Sequence, residues 1–188
     1  MKTKLILIGG VPGTGKTTIA YHLALKFKVD KVISLDTLKL YVKTFNNDFN
    51  KYIFTTTHEA YKLENISIVD GYLKHSNEIN KLLIKTLDNI KDNIIIIEGS
   101  TINKNIINLL DKDKYEILYF NLYLDSKELI ERYKLKSKIR KSTWIENIKN
   151  IEEINNYLLK DNLNFYNKDL KETLERISNY VKKDLCLQ

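Results

Sequence analysis

Cysteine is almost missing from this 188-residue chain: Cys186 stands alone, so no internal disulfide can form, and a reducing, cytoplasmic setting fits. With three histidines and that one cysteine there is no zinc spacing. Long hydrophobic runs are missing too. The run Ile94-Ile95-Ile96-Ile97 is far too short for a bilayer and reads as a strand buried on both faces. No signal peptide is visible, because the first apolar run is short and leads straight into glycines. A membrane partner is therefore not expected. Tyrosine and phenylalanine are scattered, without the strand motif of an RNA-stacking module. Proline occurs once, at Pro12, and there is no Pro/Ser-rich linker or repeat, so a single domain over residues 1–188 is expected.

Glycine is scarce as well, with six in the chain, yet three of them fall within Gly10-Val11-Pro12-Gly13-Thr14-Gly15-Lys16-Thr17. This stretch fits G-x-x-x-x-G-K-[ST], the phosphate-binding loop. Glycines let the backbone turn tightly, so that several N–H groups converge on one phosphate. Lys16 can reach the terminal phosphates and Thr17 offers a hydroxyl to Mg²⁺. A helix opening at Thr18 aims its positive end at the same anion. Residues Gly10 to Thr18 are thus expected to hold a nucleoside triphosphate.

Apolar runs and helical periods alternate along the rest of the chain. Strands are predicted at Lys4–Gly9, Lys31–Leu35, Asn93–Ile97, Tyr115–Tyr123 and Leu163–Tyr166. Between them helices are predicted at Thr37–Thr44, Thr57–Glu64, Gly71–Lys91, Asn103–Leu110, from Asp125 toward Lys138, from Ser142 or Thr143 to about Lys160, and at Asp169–Val181. Residues 45–54 carry no clear period. Such alternation implies a three-layer α/β/α fold with a five-stranded parallel sheet, and ligands bind beyond the carboxyl ends of its strands. By position alone the loop, Asp36, Glu98 and Asp125 should line one edge.

Four features of the sequence can carry chemistry. Asp36 can accept the proton of an attacking hydroxyl or hold Mg²⁺ water, and it equally suits a helix N-cap. Glu98, ending an apolar strand, can order Mg²⁺ through water or grip a substrate hydroxyl; a solvated strand end would look the same. Acidic residues are absent from residues 132–141, where Arg132, Lys134, Lys136, Lys138, Arg140 and Lys141 cluster. Net charge is +7, and without that segment the chain carries +1, so the excess is local. Arg132, Lys136 and Arg140 are spaced i, i+4, i+8, which puts them on one helix face, and two of the chain's three arginines are among them. Arginine pairs bidentately with phosphate. The segment at about 132–142 reads as a lid that closes over a triphosphate; a solvated basic face is the plainer alternative. His58, beside three threonines, can bind a substrate anion or simply cap a turn, whereas His22 and His75 show no partner pattern and Trp144 reads as core.

Residues Gly9 to Ala20, then Val32 to Lys39, Ile95 to Gly99 and Glu131 to Lys136 resemble the kinase domain of archaeal 2-phosphoglycerate kinases, and the resemblance covers nearly the whole chain. It implies transfer of the terminal phosphate of ATP, with Mg²⁺, to a hydroxyl of a small phosphorylated acceptor. Lys16 and Thr17 would serve ATP–Mg²⁺, Asp36 and Lys39 would face the acceptor, and Arg132 and Lys136 would belong to the lid. Larger family members carry an additional N-terminal nucleotide-binding domain, which is not expected here because the first strand starts at the beginning of the sequence. Lysine stands at positions 39 and 136 where the family pattern suggests arginine, which loses the bidentate geometry. Two other readings remain. Polynucleotide 5′-hydroxyl kinases share the loop, the aspartate and the basic lid. A nucleotide-binding regulator is the other, although D-x-x-G and N-K-x-D are missing and Asn167-Lys168-Asp169-Leu170 only approaches the second. An oligomeric state is not legible.

Overall fold

The computed structural model describes residues 2–45, 50–137, 143–161 and 163–185. Five strands, β1 (Thr3–Gly9), β2 (Lys31–Ser34), β3 (Ile94–Glu98), β4 (Tyr115–Tyr123) and β5 (Asn164–Tyr166), form one sheet in the order β2-β3-β1-β4-β5. Every pairing is parallel. The helices are α1 (Lys16–Phe27), α2 (Leu35–Phe45), α3 (Ile68–Leu87), α4 (Asn105–Leu109), α5 (Ser126–Ser137), α6 (Ile148–Leu158) and α7 (Leu170–Asp184). None of the described helices is long and apolar enough to cross a membrane.

Alternation along the central strand builds the layers. Ile6 and Ile8 of β1 face α1 and α7, packing with Ile19, Leu23, Ile177 and Val181. Leu5 and Leu7 point the other way, onto Ile79, Leu83 and Leu87 of α3 and Ile106 of α4. The all-apolar β3 is covered on both sides, since Ile96 joins the first cluster and Ile95 and Ile97 the second. A third cluster holds Tyr72 of α3, Leu129 and Tyr133 of α5, and Ile151 and Ile154 of α6 beside the loop residue Val11. This cluster seats α5 and α6 next to the glycine-rich loop, at the carboxyl end of the sheet.

The strand expectations hold to within a residue or two, and three helix expectations need correction. Residues 57–64 are not a helix but turns with one 3₁₀ segment, Ala60–Leu63. The Thr56 hydroxyl donates to the Glu59 carboxylate at 2.9 Å, which fastens a turn rather than capping a helix. The helix expected from Ser142 or Thr143 starts later, at Ile148. Thr143 instead accepts the Asn147 amide on its carbonyl at 3.1 Å, and Ser142 lies outside the described residues. Asp36 does not precede its helix: α2 opens at Leu35, which places Asp36 in the first turn. The basic helix α5 ends at Ser137, so the lid residues Lys138 to Lys141, Arg140 among them, lie outside the described residues.

Candidate active site

Between β1 and α1 the chain makes a cup. Gly10, Gly13 and Gly15 adopt φ of +130°, +83° and +91°, a region costly for any residue with a Cβ. The loop's carbonyls are held from outside. The Tyr133 hydroxyl donates to Pro12 O at 2.7 Å, Arg132 Nη1 to Gly13 O at 3.3 Å, and Asn167 Nδ2 to Thr14 O at 2.7 Å. Val11 O accepts both Thr14 Oγ1 and Lys16 Nζ at 2.9 Å. With the Pro12, Gly13 and Thr14 carbonyls turned outward, the amides of Gly13 and Gly15 meet no backbone carbonyl among the described residues. Their N–H groups and the start of α1 form a site suited to an anion. A Cβ at Gly13 would stand 2.5 Å from the Tyr133 ring. Gly13→Ala is therefore expected to cost about 1–3 kcal/mol through backbone strain and to abolish nucleotide binding. A lower urea midpoint together with lost nucleotide titration checks this.

A cleft of about 240 Å³ opens in front of the cup. The sheet edge gathers there the residues that sequence reasoning placed in separate segments: Lys16, Thr17, Asp36, Lys39, His58, Glu98 and Lys136 all line it. Glu98 is 3% exposed, not the solvated strand end it resembled in sequence, and accepts a hydrogen bond from Thr17 Oγ1 at 3.1 Å. Lys16 is buried, and desolvation pulls its ammonium below the usual lysine range, opposed first by Glu98 and then by Asp36. Lys39, one turn beyond Asp36 on α2, donates to Thr55 O. Burial, and then the charge of Lys43, lowers it to about 8, while Asp36 works in the opposite direction. His58 is buried, its Nε2 sits 3.2 Å from Thr143 Oγ1, and desolvation holds it below the ordinary histidine range.

Two expected site residues stand elsewhere. Arg132 is not in the lining of the cleft: its guanidinium braces the outer side of the loop and also donates to Asn167 O at 2.5 Å. Its helix neighbour Lys136 does reach the cleft, packed over the Trp144 ring at 5.3 Å, so the i, i+4 pair serves two sides of the same loop. Asp125 follows its strand as expected but is occupied as the cap of α5, accepting from the Glu128 amide at 3.0 Å and the Tyr166 hydroxyl at 2.8 Å.

Sequence reasoning overlooked His75, Trp144, Tyr133 and Asn167. Trp144, expected in the core, forms part of the cleft wall against Tyr133, with ring centroids 5.1 Å apart. Asn167 lies just past β5, a position that could have signalled a role at the sheet edge. His75 had no local signal at all; it reaches the cleft because α3 packs beside α2.

Among the described residues no group of three or more His, Cys, Asp or Glu side chains forms a metal cage. The hard oxygens of Thr17 and Glu98 at the mouth of the cup suit Mg²⁺ bound jointly with phosphate oxygens.

Comparison with known proteins agrees with this geometry. The chain is similar to the mevalonate-3-phosphate 5-kinase of Thermoplasma acidophilum, 31% identical over 103 residues, covering 50% of this chain and 50% of that protein. It is also similar to the 2-phosphoglycerate kinase of Methanococcus vannielii, 24% identical over 173 residues, covering 83% of this chain and 55% of that protein. The chain thus spans about half the length of the curated relatives it matches. Among solved structures, shikimate kinase from Bacteroides thetaiotaomicron superposes with a TM-score of 0.53 at 18% identity, over 98% of this chain and 99% of that one, a likeness of fold. Residues 6–157, most of the chain, match the AAA domain family AAA_18, and with its glycine cup on a parallel five-stranded sheet the chain belongs to that family.

Proposed function

We propose that this protein is an ATP-dependent phosphotransferase that moves the γ-phosphate onto a hydroxyl of a small phosphorylated acceptor. The observation that carries the reading is a shared cleft: the phosphate cup, the carboxylate of Asp36 and the ammonium of Lys39 open into one space of about 240 Å³. Phosphoryl transfer needs positioning and charge neutralisation more than covalent help. In this reading the loop from Gly10 to Thr18 holds the phosphates through its free backbone N–H groups and Lys16, and Asp36 orients the attacking hydroxyl and takes its proton. Mg²⁺, when bound with the nucleotide, supplies neutralising positive charge. Thr17 would ligate it directly and Glu98 through water. Lys39, His58 and Lys136 face the acceptor side. Arg132 contributes by keeping the cup in shape, and Arg140 belongs to the lid expectation. The two curated relatives are named for phosphorylated hydroxy acids, which supports an acceptor of that class, 2-phosphoglycerate first among the compounds to test.

The test is a transfer screen with γ-labelled ATP across phosphorylated three- and four-carbon acids, sugars, nucleosides and oligonucleotides. Label on a phosphorylated acid supports the proposal. Label on the oligonucleotide alone, with affinity falling steeply in salt, replaces it with a polynucleotide kinase. Tight ATP binding with no transfer to anything replaces it with a regulatory nucleotide-binding protein.

Lys39 gives the reading a pH signature. Its folded value is about 8, so it is charged below that pH and loses its proton above it. The kcat/KM for an anionic acceptor reports the free enzyme. It is expected to fall as pH rises from 7 to 9, by up to about tenfold per unit above the pKa if the charge is required. In Lys39→Met this limb should vanish while the KM for ATP stays unchanged. An identical alkaline limb in the variant would assign the ionisation to another group.

A further inference from the structure

His75 is a buried titratable residue of the cleft that the proposed reaction leaves without a task. It comes from the middle of α3, is 1% exposed, and forms part of the cleft wall. Its Nδ1 lies 2.6 Å from Tyr52 O. A carbonyl only accepts, so Nδ1 carries the proton and Nε2 carries the lone pair. The ring stays neutral: burial, and then the nearby charge of Lys39, holds it down at about 3. Nε2 meets no hydrogen-bonding partner among the described residues, and it is not among the polar atoms sealed away without one, as His58 Nδ1 is. It is therefore an acceptor, fixed in tautomer by the fold, at the surface of the cleft.

Its neighbours define what can meet it. Asp36, Lys39 and His75 line the same cleft, and the charge of Lys39 is close enough to act on His75 and to feel Asp36. The hydroxyl that attacks ATP has a single proton, and in the proposed reaction Asp36 takes it. That same hydroxyl cannot also donate to Nε2. An anionic oxygen would place lone pair against lone pair and leave Nε2 desolvated without a partner, which disfavours it.

We propose that His75 is a specificity-determining residue whose Nε2 accepts a hydrogen bond from a second hydroxyl of the acceptor. The substrate class is thus a small anionic diol, with one hydroxyl at Asp36, another at His75 and the anionic group at Lys39. This rests on the reading of the cleft as an acceptor site and narrows it. 2-Phosphoglycerate, with a single hydroxyl, leaves Nε2 unpaired. Lysine rather than arginine at position 39 accords with an acceptor different from that of the resembling family.

The experiment uses the full chain loaded with a non-hydrolysable ATP analogue. The chain's sole tryptophan, Trp144, lines the cleft and reports binding by fluorescence. The probes are 4-phosphoerythronate, which has two hydroxyls, and its 2-deoxy and 3-deoxy counterparts, which keep both anionic groups and lose one hydroxyl each. The diol is expected to bind roughly tenfold to a hundredfold more tightly than a deoxy acid. His75→Asn keeps a donor for Tyr52 O and withdraws the acceptor from the Nε2 position; it should bring the diol down to the level of the deoxy acids. His75→Gln, whose carbonyl reaches that position, should restore part of the difference. Equal binding of diol and deoxy acids by the wild type overturns the inference and leaves the phosphotransferase reading standing. A preference for the diol that persists unchanged in His75→Asn does the same. Binding of ATP analogue but of none of the acids overturns the acceptor reading and the inference together.

Discussion

Lys16→Ala is expected to lower phosphoryl transfer by roughly 10²–10³-fold, the usual effect of removing one group that meets developing charge, while the thermal midpoint stays close to that of the parent chain. Both halves follow from the geometry of the cup. The ammonium sits buried beside Glu98 and Asp36, where it can answer phosphate charge without reorganising. Its folding contribution is small because burial works against the charge it carries. The cup has other supports: Tyr133, Arg132 and Asn167 hold the Pro12, Gly13 and Thr14 carbonyls from outside, and the Val11 carbonyl that Lys16 meets is held by Thr14 Oγ1 as well. A labelled-transfer assay beside a circular-dichroism melt reads the two quantities separately. Near-parental turnover in this variant would end the proposed mechanism. A collapsed melt would show instead that the lysine organises the loop.

Asp36→Asn is expected to reduce kcat by roughly 10²–10⁴-fold, the range for loss of a positioned general base, with the KM for ATP unchanged. The amide keeps the shape of the side chain and loses the ability to take a proton. Asp36 lies in the first turn of α2 and is exposed, so the substitution also removes a favourable charge at a helix N-terminus. That effect is worth about 0.3–1 kcal/mol and is too small to confuse with unfolding. Asp36→Ala should match the asparagine variant in rate. If Asn retained most of the activity and Ala lost it, the residue would be acting by hydrogen bonding rather than as a base.

How far the sequence reached depended on the range of the forces involved. The five strands are legible because apolar β-formers run between turn residues, a local signal. The errors fell where a polar side chain had two uses. Helices are expected over residues 57–64 and from Ser142 or Thr143, yet Thr56 ties a turn through Glu59 and Thr143 meets His58 from 85 residues away. Arg132 and Lys136 share a helix face as their spacing requires, but α5 packs so close to the loop that the first braces its outside and the second enters the cleft.

The sequence by itself determined the glycine-rich cup, the parallel sheet, and the placement of Asp36 and Glu98 just beyond or at strand ends. Each of these depends on residues within a few positions of one another, on backbone freedom at glycine and on the period of apolar side chains. Tertiary structure alone decided that His75 and Trp144 share the cleft with Lys16. Their segments are far apart in the chain, and what brings them together is burial of α3, α5 and α6 in clusters that also include Val11 and Leu35. Hydrophobic burial of that kind depends on total area and has no direction, so no short motif announces which polar groups it will carry to the same place.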